Sequence, residues 1–105
     1  METRAFQNLC AEIVEKIDKK YKIERDQHFS FVQLMEEVGE LARAINRPKL
    51  RNKKLDQDNI NEEFADVFLQ LAILAKMYKV DFEEVVKTKS KELEKRHRVD
   101  FSDAK

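Results

Sequence analysis

From Ile60 to Tyr78 the chain carries apolar side chains on almost every face a helix could present. Ile60, Phe64, Val67, Phe68, Leu71, Leu74, Ala75 and Tyr78 fall on one helical stripe, while Leu69, Ala72 and Ile73 cover much of the opposite side. A helix that is apolar nearly all round must be buried on both sides. The chain has only 105 residues, enough for one domain with one core. Three further short helices cannot enclose a fourth, so a second copy of the chain is the natural cover. The sequence therefore predicts a homodimer, or a dimer of dimers that makes a homotetramer.

The rest of the pattern is helical as well, with no strand-like alternation. One glycine and one proline leave few sharp turns. A first helix is expected over Thr3 to Lys20, with Phe6, Leu9, Cys10, Ile13, Val14 and Ile17 on its inward stripe. A second is expected from Ser30, where Ser30 and Gln33 suit a capping box, to Asn46. Its stripe is Phe31, Leu34, Met35, Val38, Leu41, Ala42 and Ile45. Pro48 should end that helix and open a basic loop to about Asp58, within a basic segment Arg47 to Lys54. The third helix should start at Asp58 or Asn59, capped by Asn59 with Glu62, and end near Tyr78. The fourth should run from Asp81, paired with Glu84 as a cap, to Arg98. The fold class is thus all-α, a four-helix bundle-like protomer in one domain spanning 1–105, with a loose tail at 99–105 from which Phe101 can dock.

Twenty-one basic and 21 acidic residues cancel, so no overall field favours nucleic acid. The longest apolar run, Val67 to Ala75, is interrupted by Gln70 and is far too short for a bilayer span. The polar start, Glu2 to Arg4, does not resemble a secretory signal. The single cysteine, Cys10, excludes an internal disulfide, suits a reducing cytoplasm, and reads as a small core residue. No membrane or nucleic-acid partner is expected. His28 and His97 lack partners at zinc-ligand spacing and read as surface residues.

Two acidic clusters stand against this helical background. In Glu36-Glu37-Val38-Gly39-Glu40, residues Glu37 and Glu40 are one turn apart; in Glu63-Phe64-Ala65-Asp66, so are Glu63 and Asp66. Side by side, the two helices would crowd four carboxylates, which must then be solvated, protonated or filled by cations. An all-oxygen cage suits Mg²⁺, or Mn²⁺ in its place. Glu63 and Asp66 lie beside the apolar stripe of the most apolar helix, where carboxylates cost stability unless something pairs with them. Glu37 lies at the edge of its stripe and Glu40 well round toward the other side. Gly39, costly inside a helix, is accepted where a backbone or ligand must approach closely.

These residues and their flanks, Glu-Glu-Val-Gly-Glu-Leu-Ala at 36–42 and Glu-Glu-Phe-Ala-Asp-Val-Phe-Leu-Gln-Leu at 62–71, resemble the MazG-like nucleotide pyrophosphohydrolases of the all-α NTP pyrophosphatase group. The resemblance covers roughly Phe29 to Arg96. It implies a Mg²⁺-dependent enzyme that cleaves a nucleoside triphosphate between the α- and β-phosphates, releasing a monophosphate and pyrophosphate to clean up the nucleotide pool. It further implies that Glu37, Glu40, Glu63 and Asp66 hold the metal and that Glu36 orients or deprotonates the attacking water. Family members carry Lys, Asn and Arg on the last helix for phosphate contacts. This chain offers Lys89, Lys91, Lys95 and Arg96 there, and no Asn beyond Asn61. A similar acid array serves phosphoribosyl-ATP pyrophosphohydrolase of histidine biosynthesis, although the Val-Gly-Glu-Leu flank is closer to the MazG-like branch. A non-catalytic helical interaction module is the alternative of another class; it predicts no Mg²⁺ binding. Phe6, Tyr21, Phe29 and Phe31 could stack on a base, but aromatic residues at helical spacing more often build core.

Overall fold

The computed structural model of the chain describes residues 1–50 and 54–101. Arg51 to Lys53 of the basic loop and residues 102–105 of the tail lie outside them. Four helices and no strand occur among the described residues: α1 (Thr3–Tyr21), α2 (Gln27–Leu50), α3 (Gln57–Met77) and α4 (Phe82–His97). None is long and apolar enough to cross a membrane.

Both boundaries of α2 differ from expectation. Its N-terminus is capped by Asp26, whose Oδ1 accepts from the Phe29 N–H at 2.7 Å while its carbonyl accepts from Ser30 N–H. Ser30 is therefore inside the helix, and it is fully buried. Its hydroxyl is used there, accepting from Arg25 and donating to the Met77 sulfur. Pro48 does not end the helix, which continues to Leu50. Proline's fixed φ is itself helical, so this late in the helix it forfeits one hydrogen bond without turning the chain. On α3 the cap is Asp56, accepting from Asn59 N–H at 3.1 Å, in place of Asn59. On α4 the expected cap holds: Asp81 accepts from Glu84 N–H at 3.1 Å. Arg4 donates to the same Asp81 carboxylate. These bonds, the backbone one first, hold Asp81 below its ordinary pKa.

Three helices end in one recurring way. Lys22, Lys79 and Arg98 adopt φ of 55°, 57° and 54°, left-handed conformations usually left to glycine. The next residues, Ile23, Val80 and Val99, send their N–H back to the carbonyls of Asp18, Ala75 and Glu94, which closes a Schellman turn each time. With almost no glycine available, a basic residue followed by a β-branched apolar one terminates each helix. The cation also sits favourably at the negative end of the helix dipole.

Helix α3 is the axis of the protomer, packing on α2 along one side and on α1 along another, while α4 rests on α1. Ala11, Val14 and Ile73 form the central buried cluster, with Leu69 packed against it. Cys10 is buried beside them in α1, as expected of a core residue, and burial pushes its thiol pKa up. Small side chains, Ala11, Ala44, Ala72 and Ala75, are buried in α1, α2 and α3. Phe6 and Phe82 flank Phe68, with ring centroids 5.3 and 5.8 Å away, joining α1, α3 and α4. Gln7 completes that junction, donating to the Val80 carbonyl and accepting from Phe82 N–H. At the tail, Phe101 is half-buried and its N–H donates to the Glu94 carboxylate.

The stripe expected to be the inner face of α3 is only partly inside. Ala72, Ile73 and Leu69 of its second side face the protomer, whereas Phe64, Leu71 and Tyr78 remain exposed. Phe31, Met35, Val38 and Ile45 of α2 are exposed too, as are Leu9, Ile13 and Ile17 of α1. The radius of gyration is 16.8 Å, against about 13 Å for a compact chain of this length. The protomer is open, with apolar faces of three helices in solvent.

Candidate functional site

The α2–α3 contact brings the two acidic clusters together. Carboxylate oxygens of Glu37, Glu63 and Asp66 all lie within 4.8 Å of one another. Glu37 and Glu63 are half-buried and Asp66 is exposed. Glu63 Oε2 is shut off from solvent and has no hydrogen-bond partner among the described residues. A buried acceptor with no donor is costly, and mutual repulsion adds to the cost. Both effects raise the carboxyl pKa values. For Glu37 the causes are loss of solvent, then the charges of Asp66, Glu63, Glu40 and Glu36. For Glu63 they are loss of solvent, then Asp66, Glu40 and Glu62, with Arg43 opposing. A bound cation would relieve every one of these terms at once, and an all-carboxylate oxygen donor set fits a hard divalent ion.

The other two acids stand differently. Glu40 is outside the three-residue group: an oxygen sits 3.2 Å from Arg43 Nη1 one turn along α2. It is still close enough to raise the pKa of both Glu37 and Glu63. Glu36 is exposed, and its charge is felt by Glu37. Gly39 has open space around it in the protomer, with no atom within 4 Å of an added Cβ. Gly39→Ala should therefore stabilise the chain by about 1 kcal/mol in chemical denaturation. A loss of stability would mean that a neighbouring copy fills this space.

Lys89, Lys91, Lys95 and Arg96 are not brought to the acids. All four are exposed on α4, where Lys89 and Arg96 both pair with Glu92. Lys91 and Lys95 line a shallow surface depression with Glu92 and Glu94.

A cleft of about 330 Å³ opens beside the acids instead, with Glu37 and Asp66 among its lining residues. Its remaining walls come from α1, the α1–α2 connection, α2 and α3, and include Arg25, Phe29, Gln33 and Gln70. Arg25 is the hub. Its Nε and Nη2 grip both oxygens of Asp18 at 2.6 and 3.1 Å, and its Nη1 reaches Ser30 Oγ at 3.0 Å and Gln70 Oε1 at 3.2 Å. The guanidinium also stacks 5.0 Å from the Phe29 ring centroid. Apart from the aromatic of Phe29, none of these residues was marked out for a ligand by the sequence, which read Ser30 and Gln33 as a helix cap. One signal was present: Gln33 precedes Glu37 by four residues and Gln70 follows Asp66 by four. On each helix a carboxamide therefore shares a face with a cluster carboxylate, one turn away.

One relative, the "Uncharacterized protein YvdC" of Bacillus subtilis (strain 168), is 39% identical over 72 residues, which cover 60% of this chain and 68% of that protein. No solved structure matches. The family model for the MazG nucleotide pyrophosphohydrolase domain matches residues 25–101. That span takes in α2, α3 and α4, both acidic clusters and the Arg25 hub. Since the match extends over well more than half of the sequence, the chain belongs to the MazG nucleotide pyrophosphohydrolase domain family.

Proposed function

We propose that the protein is a Mg²⁺-dependent nucleoside triphosphate pyrophosphohydrolase that releases a nucleoside monophosphate and pyrophosphate. The observation that carries this reading is the convergence of Glu37, Glu63 and Asp66, in which Glu63 also keeps a buried, unpaired oxygen, Oε2. These three residues would hold the ion, with Mn²⁺ an acceptable substitute, and Glu40 would join them by leaving Arg43. A bound divalent ion supplies charge neutralisation at the phosphate oxygens and a more acidic water. Glu36 adjoins Glu37 in sequence and has solvent access. It would orient the attacking water and accept its proton. The water oxygen bonds to the α-phosphorus as the bridge to the β-phosphate breaks, and pyrophosphate leaves. Glu37 and Asp66 line the cleft, so a nucleoside would lie in it with its phosphates turned to these acids.

The exposed faces of α1, α2 and α3 support a homodimer or homotetramer as the working form. The reading also sets the protein in the cytoplasm, removing non-standard or surplus nucleotides. The test is a panel of NTPs, dNTPs and phosphoribosyl-ATP incubated with Mg²⁺, following pyrophosphate and orthophosphate separately. Pyrophosphate from at least one nucleotide is expected, with none after chelation. Orthophosphate alone would move the cleavage site, and silence across the panel would end the enzymatic reading.

A further inference from the structure

Two amides, Gln33 and Gln70, line the cleft together with Glu37 and Asp66, and only one of them is free to turn. Gln33 has no hydrogen-bond partner among the described residues and can present either its oxygen or its nitrogen. Gln70 cannot choose. Its partner Arg25 has only donors, so the atom facing Arg25 is the Gln70 oxygen. Arg25 is itself fixed by both oxygens of Asp18, by Ser30 and by the Phe29 ring. The Gln70 Nε2 therefore remains as a donor of set orientation, without a partner among the described residues, in a cleft it lines together with Glu37 and Asp66.

We propose that Gln70, oriented by Arg25, reads the nucleobase and selects bases that carry an oxo group where others carry an amino group. This rests on the pyrophosphohydrolase reading for its ligand class. Purines differ at C6 and pyrimidines at C4: hypoxanthine, guanine and uracil present a carbonyl there, adenine and cytosine an NH₂. A fixed N–H donor pairs with the carbonyl and meets the NH₂ donor to donor, leaving both unpaired. The cleft volume lies at the small end of the range for small-molecule pockets, enough for a base against walls such as Leu69 and Ile17. Gln70 is a specificity residue, and Arg25 is a positioning residue acting through it.

The experiment compares IMP with AMP, and UMP with CMP, by isothermal titration calorimetry in Mg²⁺, with pyrophosphate release from the matching triphosphates measured in parallel. The oxo member of each pair should bind about tenfold more tightly to the wild type. Gln70→Met should bring the ratio near one. Gln70→Glu keeps an acceptor for Arg25 but replaces the cleft donor by an acceptor, so the ratio should invert. A Gln70 that served only as a brace would lower all affinities together and leave the ratios alone. Circular dichroism melts establish that each variant is folded, and the wild-type ratios stand without either variant. Equal binding within each pair, or an oxo preference that survives Gln70→Met, would overturn the inference while any pyrophosphate released upholds the hydrolytic reading. An oxo preference with no pyrophosphate released upholds the base subsite and removes the hydrolytic reading. Absence of any nucleotide binding overturns both.

Discussion

Glu63→Gln should raise the melting temperature of the metal-free protein and, in the same molecule, lower Mg²⁺-dependent pyrophosphate release by at least about 100-fold. The two effects have one origin. Glu63 is an ionisable group with a solvent-excluded, unpaired oxygen beside two more carboxylates, so ionising it costs the folded state. Its folded pKa is raised above the ordinary 4.5, and that of Glu37 likewise. The sign follows from linkage. Above the raised folded values the carboxylates are charged in both states and only the fold is penalised. As pH falls through those values toward 4.5, the folded protein takes up protons first and the penalty disappears. The metal-free wild type should therefore melt at a higher temperature near pH 5 than near pH 7.5, and Glu63→Gln should flatten that profile. Asp81 acts in the opposite sense but lower down. Its folded pKa is depressed below 3.8, so its contribution is lost only as pH falls beneath this window. Mg²⁺ at pH 7.5 should stabilise the wild type as protons do and leave Glu63→Gln unmoved. A destabilised Glu63→Gln protein, together with a wild type indifferent to Mg²⁺ at every pH, would remove the metal site.

Arg25→Met should cost about 3 kcal/mol or more of folding stability, lowering the melting temperature by more than about 12 °C. The side chains of Arg25 and Asp18 are only 10% and 12% exposed, so their pairing is made largely out of water. Removing the guanidinium strands the Asp18 carboxylate and takes a donor from buried Ser30. Asp18→Asn should be milder, because Arg25 keeps Ser30, Gln70 and the Phe29 ring. An Asp18→Leu, Arg25→Met double variant should recover much of the loss, since two apolar side chains replace a buried pair without an orphan. Denaturant titration at one fixed protein concentration measures all three. A loss below about 1 kcal/mol for Arg25→Met would class the pair with ordinary surface bridges.

Helix number, helix type and the α4 boundaries were legible because each rests on local rules: apolar residues at helical spacing, and an Asp81–Glu84 cap. The meeting of Glu37 with Glu63 and Asp66 was legible too, since the i,i+3 spacing and the family flanks both pointed there. The start of α2 was not. Ser30 has the chemistry of a cap, and only the tertiary partners Arg25 and Met77 reveal why a serine is buried there. Pro48 misled because a proline disturbs only the turn before it, and its own φ is helical, so the chain can continue as helix to Leu50. The facing of α3 was half legible: both sides are apolar, and pattern alone cannot say which one the protomer covers. The side the protomer covers carries Ala72 with Ile73 and Leu69, while Phe64, Leu71 and Tyr78 on the other stripe stay exposed. The cleft escaped altogether, as its lining is drawn from three helices and a connection, and no sequence window holds it.

The basic residues that close α1, α3 and α4 also affect the unfolded chain. Each left-handed Lys or Arg costs the native state roughly 1 kcal/mol that glycine would not. Glycine in those places would instead give the denatured ensemble more conformations to lose on folding. The two costs oppose one another. A chain with a single glycine therefore enters folding from a narrower ensemble, with slight strain at Lys22, Lys79 and Arg98 exchanged for lower entropy in the disordered state. The helix ends are then places where thermal resistance is set by what the backbone cannot do when unfolded, as much as by what it contacts when folded.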